Sequence, residues 1–143
     1  MADNTQWFKR CVGSWTSYRR YMYGNSTEPD NITTYFSMDE TGDNAFCLTW
    51  GSDRNKGEMN FEIDGDVVHR DIGYYSSAPT DSKMERIDDD TIVFRTGYGG
   101  IEYREEIRLL LNDTVRLRQT LGTKNGKVNV VGQYYEVRED VSD

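Results

Sequence analysis

A period of two in the hydrophobic pattern constrains this chain more than any other feature of its sequence. The pattern starts near residue 15 and continues to residue 138. Because successive side chains of a β-strand point to opposite faces, this period predicts strands with one buried and one exposed face. Ten segments fit it: 15–23, 32–38, 45–50, 58–63, 67–75, 84–87, 91–96, 101–111, 114–121 and 128–138.

The connections between these segments are short and rich in turn-forming residues. Asp64-Gly65 and Asn125-Gly126 are dipeptides typical of tight turns, and no helical pattern separates the strands. Consecutive strands joined in this way favour an up-and-down antiparallel barrel, with a β-sandwich as the structural alternative. The chain of 143 residues is long enough for a single domain, which we place at 1–143.

The N-terminal segment has a different pattern. Asp3 or Asn4 is a suitable cap for a short helix with Trp7 and Phe8 on one side and an end at Gly13. The predicted fold is therefore all-β, a ten-stranded antiparallel barrel with a short N-terminal helix that plugs or flanks its mouth.

Charge and hydropathy exclude several classes of partner. The formal net charge of −8 at pH 7 opposes binding to nucleic acid or to an anionic membrane surface. The start of the chain, MADNTQWFKR, lacks the apolar core of a signal peptide, and no stretch has the roughly 20 apolar residues that span a bilayer. We therefore expect a soluble, cytoplasmic protein that binds neither nucleic acid nor membrane.

Residues that usually carry metal or nucleophilic chemistry are sparse. Cys11 and Cys47 have neither CxxC spacing nor a neighbouring histidine, so we expect reduced structural thiols and no metal site. His69 is the only histidine, and a lone histidine in a strand is typical of the surface or of packing. The sequence has no phosphate-binding loop and no Ser-His-Asp arrangement.

Three charged residues share strand faces with apolar and aromatic neighbours: Arg19, Glu105 and Glu136. Glu105, for example, lies on the same face as Tyr103 and Ile107. An unpaired charge in an apolar interior costs several kcal/mol, so each of the three needs a partner. The pattern leaves two alternatives open, an internal network of ion pairs and a site for a charged ligand.

Two arginines and a tryptophan are ambiguous. In segment 114–121 the hydrophobic pattern alone places Arg116 and Arg118 on the outer face, because Leu117 alternates with them. A barrel with a polar ligand would turn them inward, since a buried arginine is tolerated where it forms a forked pair with a carboxylate. Trp50 either lines a pocket or fills the core.

Five stretches of the sequence, in order, resemble the strand motifs of one protein family. YGGIEYREEI at 98–107 and VRLRQT at 115–120 resemble the family's GG…EERIWF and NLRLRTS strands. The other three matches, with the family's own segments in parentheses, are GSWTSYR at 13–19 (GKWRSQR), LTWG at 48–51 (VSWEG) and YEVR at 135–138 (SEIR). The family is that of the S-type (CpcS/CpeS-like) phycobiliprotein bilin lyases.

This resemblance implies both a fold and a function. The fold implied is a ten-stranded barrel like those of lipocalins and fatty-acid-binding proteins, with an N-terminal helix. The function implied is that of an enzyme that attaches an open-chain tetrapyrrole, phycoerythrobilin or phycocyanobilin, to a cysteine of an apo-phycobiliprotein subunit through a thioether bond. The bilin is then a substrate, and no further cofactor is expected.

The resemblance leaves other properties open. It implies the cytoplasm of a cyanobacterial cell or of a phage-infected host, or a plastid stroma. A homodimer is one alternative for the oligomeric state. The alternative function is that of a lipocalin-like carrier, which binds a bilin or another hydrophobic small molecule without transferring it.

Carried over position by position, the resemblance also implies site residues. Glu105 and Arg116 match the positions expected to act in catalysis. The positions expected to bind the ligand are Arg19, Trp50, Arg118 and Glu136. Glu106 competes with Glu105 for the match, because the family has an arginine after its functional glutamate. The strand register favours Glu105, whose side chain lies on the apolar face.

Overall fold

The computed structural model describes residues 4–139 apart from 53–54, 73–77 and the side chain of Tyr98. These residues form one short helix and ten strands, as the alternating pattern predicts. The elements are α1 (Asn4–Lys9), β1 (Gly13–Tyr23), β2 (Asp30–Gly42), β3 (Ala45–Gly51), β4 (Lys56–Asp64), β5 (Val67–Arg70), β6 (Thr80–Arg86), β7 (Thr91–Tyr98), β8 (Ile101–Leu110), β9 (Val115–Lys124) and β10 (Lys127–Arg138).

The strands close into one antiparallel barrel. Each strand pairs with its neighbour in the chain, and β1 pairs with β10 from Trp15↔Arg138 to Tyr23↔Val130. This closure confirms the predicted up-and-down barrel and excludes the β-sandwich, whose strands would divide between two sheets.

Some strand limits differ from the predicted ones. β2 continues beyond its predicted end at Met38, because its backbone pairing with β3 runs on to Gly42 through polar residues. β5 ends at Arg70, earlier than the predicted residue 75, and residues 73–77 lie outside the described part of the chain. Hydrophobic periodicity marks where side chains are buried, whereas backbone pairing can extend further.

Helix α1 ends at Lys9, earlier than the predicted end at Gly13. The amides of Arg10, Cys11 and Val12 donate to the carbonyls three residues before them, at 3.2, 2.9 and 3.3 Å. Such bonds tighten the chain into 3₁₀-like turns and end the α-helix before β1 begins. Among the described residues, no helix is long and apolar enough to cross a membrane.

The helix closes one end of the barrel. Trp7 Nε1 donates to the carbonyl oxygen of Asp90 at 3.0 Å. Arg10, just after the helix, forms ion pairs with Asp90 at 2.6 Å and with Asp113 at 2.8 Å. These aspartates lie in the turns that follow β6 and β8. We call this end, formed by α1 and these turns, the closed end.

The half of the barrel next to the closed end is packed with rings. The ring centroid of Phe8 lies 5.8, 5.4 and 5.8 Å from those of Phe46, Phe61 and Phe94. Aromatic pairs at such distances contribute about 0.5–1.5 kcal/mol each beyond the area they bury. Helix α1 therefore completes the core of this half.

We expect replacement of Trp7 by alanine to lower the free energy of unfolding by about 3–5 kcal/mol, because the indole is buried in this core. Urea unfolding followed by circular dichroism measures the loss. The matched control is Lys9→Ala at the end of the same helix, which should change the free energy of unfolding by less than about 0.5 kcal/mol. An unchanged unfolding midpoint for Trp7→Ala would show that α1 is not part of the core.

Candidate functional site

A cavity of about 250 Å³ lies inside the barrel. Trp7 and Phe8 of α1 form its floor, and its lining extends to Ser52 and to the exposed Asn55 between β3 and β4. The cavity therefore reaches the surface at the end of the barrel opposite α1, which we call the open end. Its walls combine apolar and aromatic side chains with a few charged ones, a composition typical of sites for small molecules.

Four charged side chains form a buried cluster beside the cavity, and we call them the ion cluster: Glu105, Arg116, Arg118 and Glu136. Arg118 joins its two carboxylates, with Nη2 at 2.6 Å from Glu105 Oε2 and Nη1 at 3.3 Å from Glu136 Oε2. Arg116 Nε lies 3.0 Å from Glu136 Oε1. The side chain of Glu136 is 0% exposed, so it has exchanged water for two guanidinium groups.

The pairing register of three strands brings the ion cluster together. Glu136 of β10 lies opposite Arg116 of β9, and Arg118 is the next inward-facing residue of β9. Glu105 reaches the cluster from β8, on the other side of β9. Leu117, between the two arginines, is exposed. The pattern-only prediction that these arginines face outward was wrong, because each of them meets a buried carboxylate inside the barrel.

Both carboxyl groups of the cluster are held ionised despite their burial. Burial alone would raise the pKa of Glu105, but the guanidinium groups of Arg118, Arg70 and Arg116 outweigh it and hold that pKa below its usual value. Burial also opposes ionisation of Glu136, and Arg116 and Arg118 again lower its pKa below the usual value. The cluster is therefore a fixed set of charges at neutral pH.

Aromatic rings hold the arginines of the cluster in place. The guanidinium carbon of Arg118 lies 4.3 Å from the ring centroid of Tyr134. That of Arg116 lies 5.2 Å from the ring of Phe36 and 5.5 Å from that of Trp15. A cation over an aromatic face is attracted by the ring quadrupole, so these rings support both guanidinium groups without taking up their N–H donors.

The ion pair between Arg116 and Glu136 supplies charge but not an aligned hydrogen bond. Arg116 Nε and Glu136 Oε1 are 3.0 Å apart, yet neither atom makes a hydrogen bond of acceptable geometry with the described residues. Buried polar atoms of this kind are rare in proteins, because each loses its bonds to water. The attraction between these two groups is therefore mainly that of opposite charges.

The two remaining predicted site residues, Arg19 and Trp50, line the cavity as Glu105, Arg116 and Arg118 do, whereas Glu136 is outside the lining. Arg19 lies with its Nη2 4.0 Å from Glu136 Oε2, and its Nε donates to Ser17 Oγ at 3.0 Å. Trp50 is half-buried. It lines the cavity and also packs against the apolar core, so both predicted positions for this side chain are partly correct.

The two candidate glutamates, Glu105 and Glu106, lie on opposite faces of β8. Glu105 is buried and lines the cavity, whereas Glu106 faces outward and pairs with Arg104 at 3.3 Å on the barrel surface. The register therefore selects Glu105 as the glutamate that a ligand in the cavity would meet.

The cysteines and the histidine, which have no predicted role in the site, do not line the cavity. Cys11 is a buried free thiol, and Cys47 is a half-buried one whose Sγ donates to Glu58 on the outer face of β3 and β4. His69 is exposed beside Asp81. Among the described residues, no group of three or more histidines, cysteines or carboxylates has a geometry that could hold a metal ion.

Sequence reasoning missed one charged residue of the cavity, Arg70. It is 8% exposed, lines the cavity from β5 and donates to Ser82 Oγ. The alternation Val68, Arg70, Ile72 carries the same signal that identified Glu105, a charge on an apolar strand face.

Comparisons with known proteins give one consistent family. The family model described as CpeS-like protein matches residues 58–139. A relative from Picosynechococcus sp., provisionally named chromophore lyase CpcV, is 28% identical over 94% of this chain and 81% of its own length. A relative from Nostoc sp., provisionally named phycocyanobilin lyase CpcS 2, is 26% identical over 93% of this chain and 89% of its own length.

A solved structure has the same fold. The S-type phycobiliprotein lyase CPES from Guillardia theta superposes with a TM-score of 0.75 and 19% identity, over 99% of this chain and 95% of that one. The likeness confirms the ten-stranded barrel with an N-terminal helix.

We expect the free energy of unfolding to fall at acidic pH because Glu136 becomes protonated, and we expect Glu136→Gln to remove this contribution. Because the pKa of Glu136 is lower in the folded than in the unfolded protein, its carboxylate stabilises the fold above the unfolded pKa of about 4.3 and stops doing so as the pH falls through the folded pKa. At pH 7 the variant should lose about 3–5 kcal/mol of stability, because two buried arginines lose an anionic partner.

Urea unfolding between pH 7 and pH 3 checks this expectation. The difference between wild type and Glu136→Gln should be largest at pH 7 and should shrink below about pH 4. Glu106→Gln is the matched control, since its side chain lies on the outer surface, and it should follow the wild type at every pH. A difference that stayed constant down to pH 3 would contradict the lowered pKa.

Proposed function

The chain belongs to the family of CpeS-like proteins, and from this premise we propose that it is a bilin lyase. In this proposal it binds an open-chain tetrapyrrole in the barrel cavity and attaches it to a cysteine of an apo-phycobiliprotein subunit through a thioether bond. The names of the two relatives, chromophore lyase and phycocyanobilin lyase, support the same activity.

The observation that carries the proposal is the ion cluster inside a cavity lined with rings. A bilin is a long conjugated molecule with two propionate groups and four pyrrole-type nitrogens. Aromatic walls fit its conjugated surface, and fixed charges fit its polar groups. A fatty acid needs only a cationic clamp, and a buried carboxylate beside that clamp would repel it.

The charges around the cavity are suited to a ligand with two acidic groups. Among the described residues, four arginines and one glutamate line the cavity: Arg19, Arg70, Arg116, Arg118 and Glu105. Glu136 pairs with three of those arginines. This region is therefore cationic within a chain whose formal net charge is −8, and two propionates would balance it.

The side chains divide into two roles under this proposal. Arg19, Arg116 and Arg118 would hold propionates through charge-assisted hydrogen bonds. Glu105 would accept hydrogen bonds from the pyrrole N–H groups, since its carboxylate is ionised and can only accept. Trp50 would form part of the flat apolar wall beside the pigment.

The thiol that attacks the pigment would come from the acceptor protein. Cys11 is fully buried in the core, and Cys47 belongs to the outer face of β3. The lyase would then act by holding the bilin in one orientation and by shielding its reactive ethylidene group from other nucleophiles. Holding two reactants in a productive geometry can by itself supply several kcal/mol of the activation barrier.

Purified protein mixed with phycocyanobilin or phycoerythrobilin should give a red-shifted and sharpened absorption band, because a pigment held in a fixed conformation loses conformational averaging. Adding an apo-phycobiliprotein subunit should then produce an acid-stable covalent adduct on that subunit. Absorbance and denaturing gel fluorescence after acid treatment measure the two steps. A bound pigment without an adduct would identify a carrier instead, and the lack of a spectral change would rule out both functions.

We expect Glu105→Gln and Arg116→Ala to lower the initial rate of adduct formation by about a hundredfold, because they remove the anionic partner of the pyrrole nitrogens and a cationic partner of a propionate. Glu106→Gln is the matched control on the same strand and should transfer pigment at the wild-type rate. Near-UV circular dichroism verifies that each variant is folded. Wild-type rates for both cavity variants would remove these two residues from the proposed site.

A further inference from the structure

At three glycines in the open half of the barrel, the aromatic ring of a neighbouring residue lies where a Cβ atom would be. They face inward, as the alternation of their strands shows. The three glycine and ring pairs are Gly57 with Trp50, Gly122 with Tyr103 and Gly132 with Tyr134. All three rings line the cavity.

Gly57 of β4 lies directly opposite Trp50 of β3. A Cβ atom built on Gly57 would come within 2.9 Å of three indole carbon atoms, Cζ2, Cε2 and Cη2. Because real Cβ atoms do not approach other atoms this closely, any larger residue would force the indole to move. The indole thus lies against the wall of the barrel only because position 57 has no side chain.

The other two pairs repeat this relation. Gly122 of β9 lies opposite Tyr103 of β8, and its Cβ would lie 3.0 Å from Cε1 and 3.2 Å from Cδ1 of that ring, and 2.9 Å from Cγ1 of Val130 on β10. On β10, a Cβ at Gly132 would lie 2.7 Å from the Tyr134 hydroxyl oxygen and 3.0 Å from its Cζ. The space that a Cβ atom would fill is occupied by the Tyr134 ring at Gly132, and by the Tyr103 ring together with Val130 at Gly122.

The pairs lie on opposite walls. In the ring of ten strands, β3 and β8 are five strands apart in either direction, so Trp50 and Tyr103 face each other across the interior. Moving either ring off its glycine would shift it toward the middle of the barrel. The width of the cavity between these walls therefore depends on glycine, with no side chain, at positions 57 and 122.

We propose that Gly57, Gly122 and Gly132 are specificity-determining residues, which keep the open half of the cavity wide enough for a broad conjugated pigment. The inference rests on the proposed function, since it assumes that a linear tetrapyrrole lies in the cavity. Alanine at any of the three positions moves a ring into the ligand space and weakens pigment binding while the barrel stays closed.

The test compares Gly57→Ala and Gly122→Ala with a matched control. Gly97 of β7 suits this purpose, because a Cβ built there meets no atom within 4 Å and its φ lies outside the left-handed region. The dissociation constant for phycocyanobilin is measured by absorbance titration, and thermal unfolding monitors the fold. We expect Gly57→Ala and Gly122→Ala to bind the pigment about ten- to a hundredfold more weakly than wild type, and Gly97→Ala to bind like wild type.

A second pair of variants, Trp50→Leu with and without Gly57→Ala, distinguishes displacement of the indole from a general effect on folding. In a Trp50→Leu background the indole is absent, so adding Gly57→Ala should cause no further loss of affinity. This double variant also covers the case in which Gly57→Ala alone fails to fold. An equal loss with and without the indole, or wild-type affinity of both glycine variants, would overturn the proposal while the wild type still bound pigment. A wild type that binds no pigment would instead overturn the proposed function.

Discussion

The burial of Glu136 is the constraint on which the rest of the structure depends. Its side chain is 0% exposed and meets Arg116, Arg118 and, at 4.0 Å, Arg19. Taking a carboxylate out of water costs several kcal/mol, and the arginines offset this cost only if they stay in position. Arg19 belongs to β1, whereas Arg116 and Arg118 belong to β9. Strand β10 lies between β1 and β9, so Glu136 meets arginines from both sides only because β1 pairs with β10 and closes the barrel. The site therefore requires closure, and breaking the ladder between β1 and β10 would separate these charges.

The closed end and the ion cluster are linked through one tryptophan. Trp15 has the guanidinium carbon of Arg138 4.3 Å from its ring centroid, and that of Arg116 5.5 Å from it. Arg138 donates to the backbone carbonyls of Val12 and Arg10, in the segment that joins α1 to β1. Arg138 thus links the Trp15 ring to the closed end, and the same ring contacts the guanidinium group of Arg116. This arrangement explains how a short helix that is distant from the open end contributes to the site.

The sequence predicts the fold well and the site in part, for a physical reason. The face of a strand residue is a local property, so the period of two identified Glu105, Glu136 and Arg19 as inward charges without knowledge of the topology. The orientation of Arg116 and Arg118 is not local, because it is set by carboxylates on β8 and β10 and runs against the hydrophobic pattern of β9. The chemistry of a polar ligand left an inward orientation open, and the family resemblance indicated them as site residues. The roles of these residues in the reaction remain predictions.

The ion cluster also bears on how firmly a pigment could be held. In the structure Arg118 already pairs with Glu105 at 2.6 Å and with Glu136 at 3.3 Å, so its charge is compensated without a ligand. A propionate would therefore compete with these carboxylates for the guanidinium groups, and the net gain on binding would be much smaller than for a bare cation. A protein that must release its pigment to an acceptor benefits from such a balance, because each ion pair lost on release is replaced by one within the cluster.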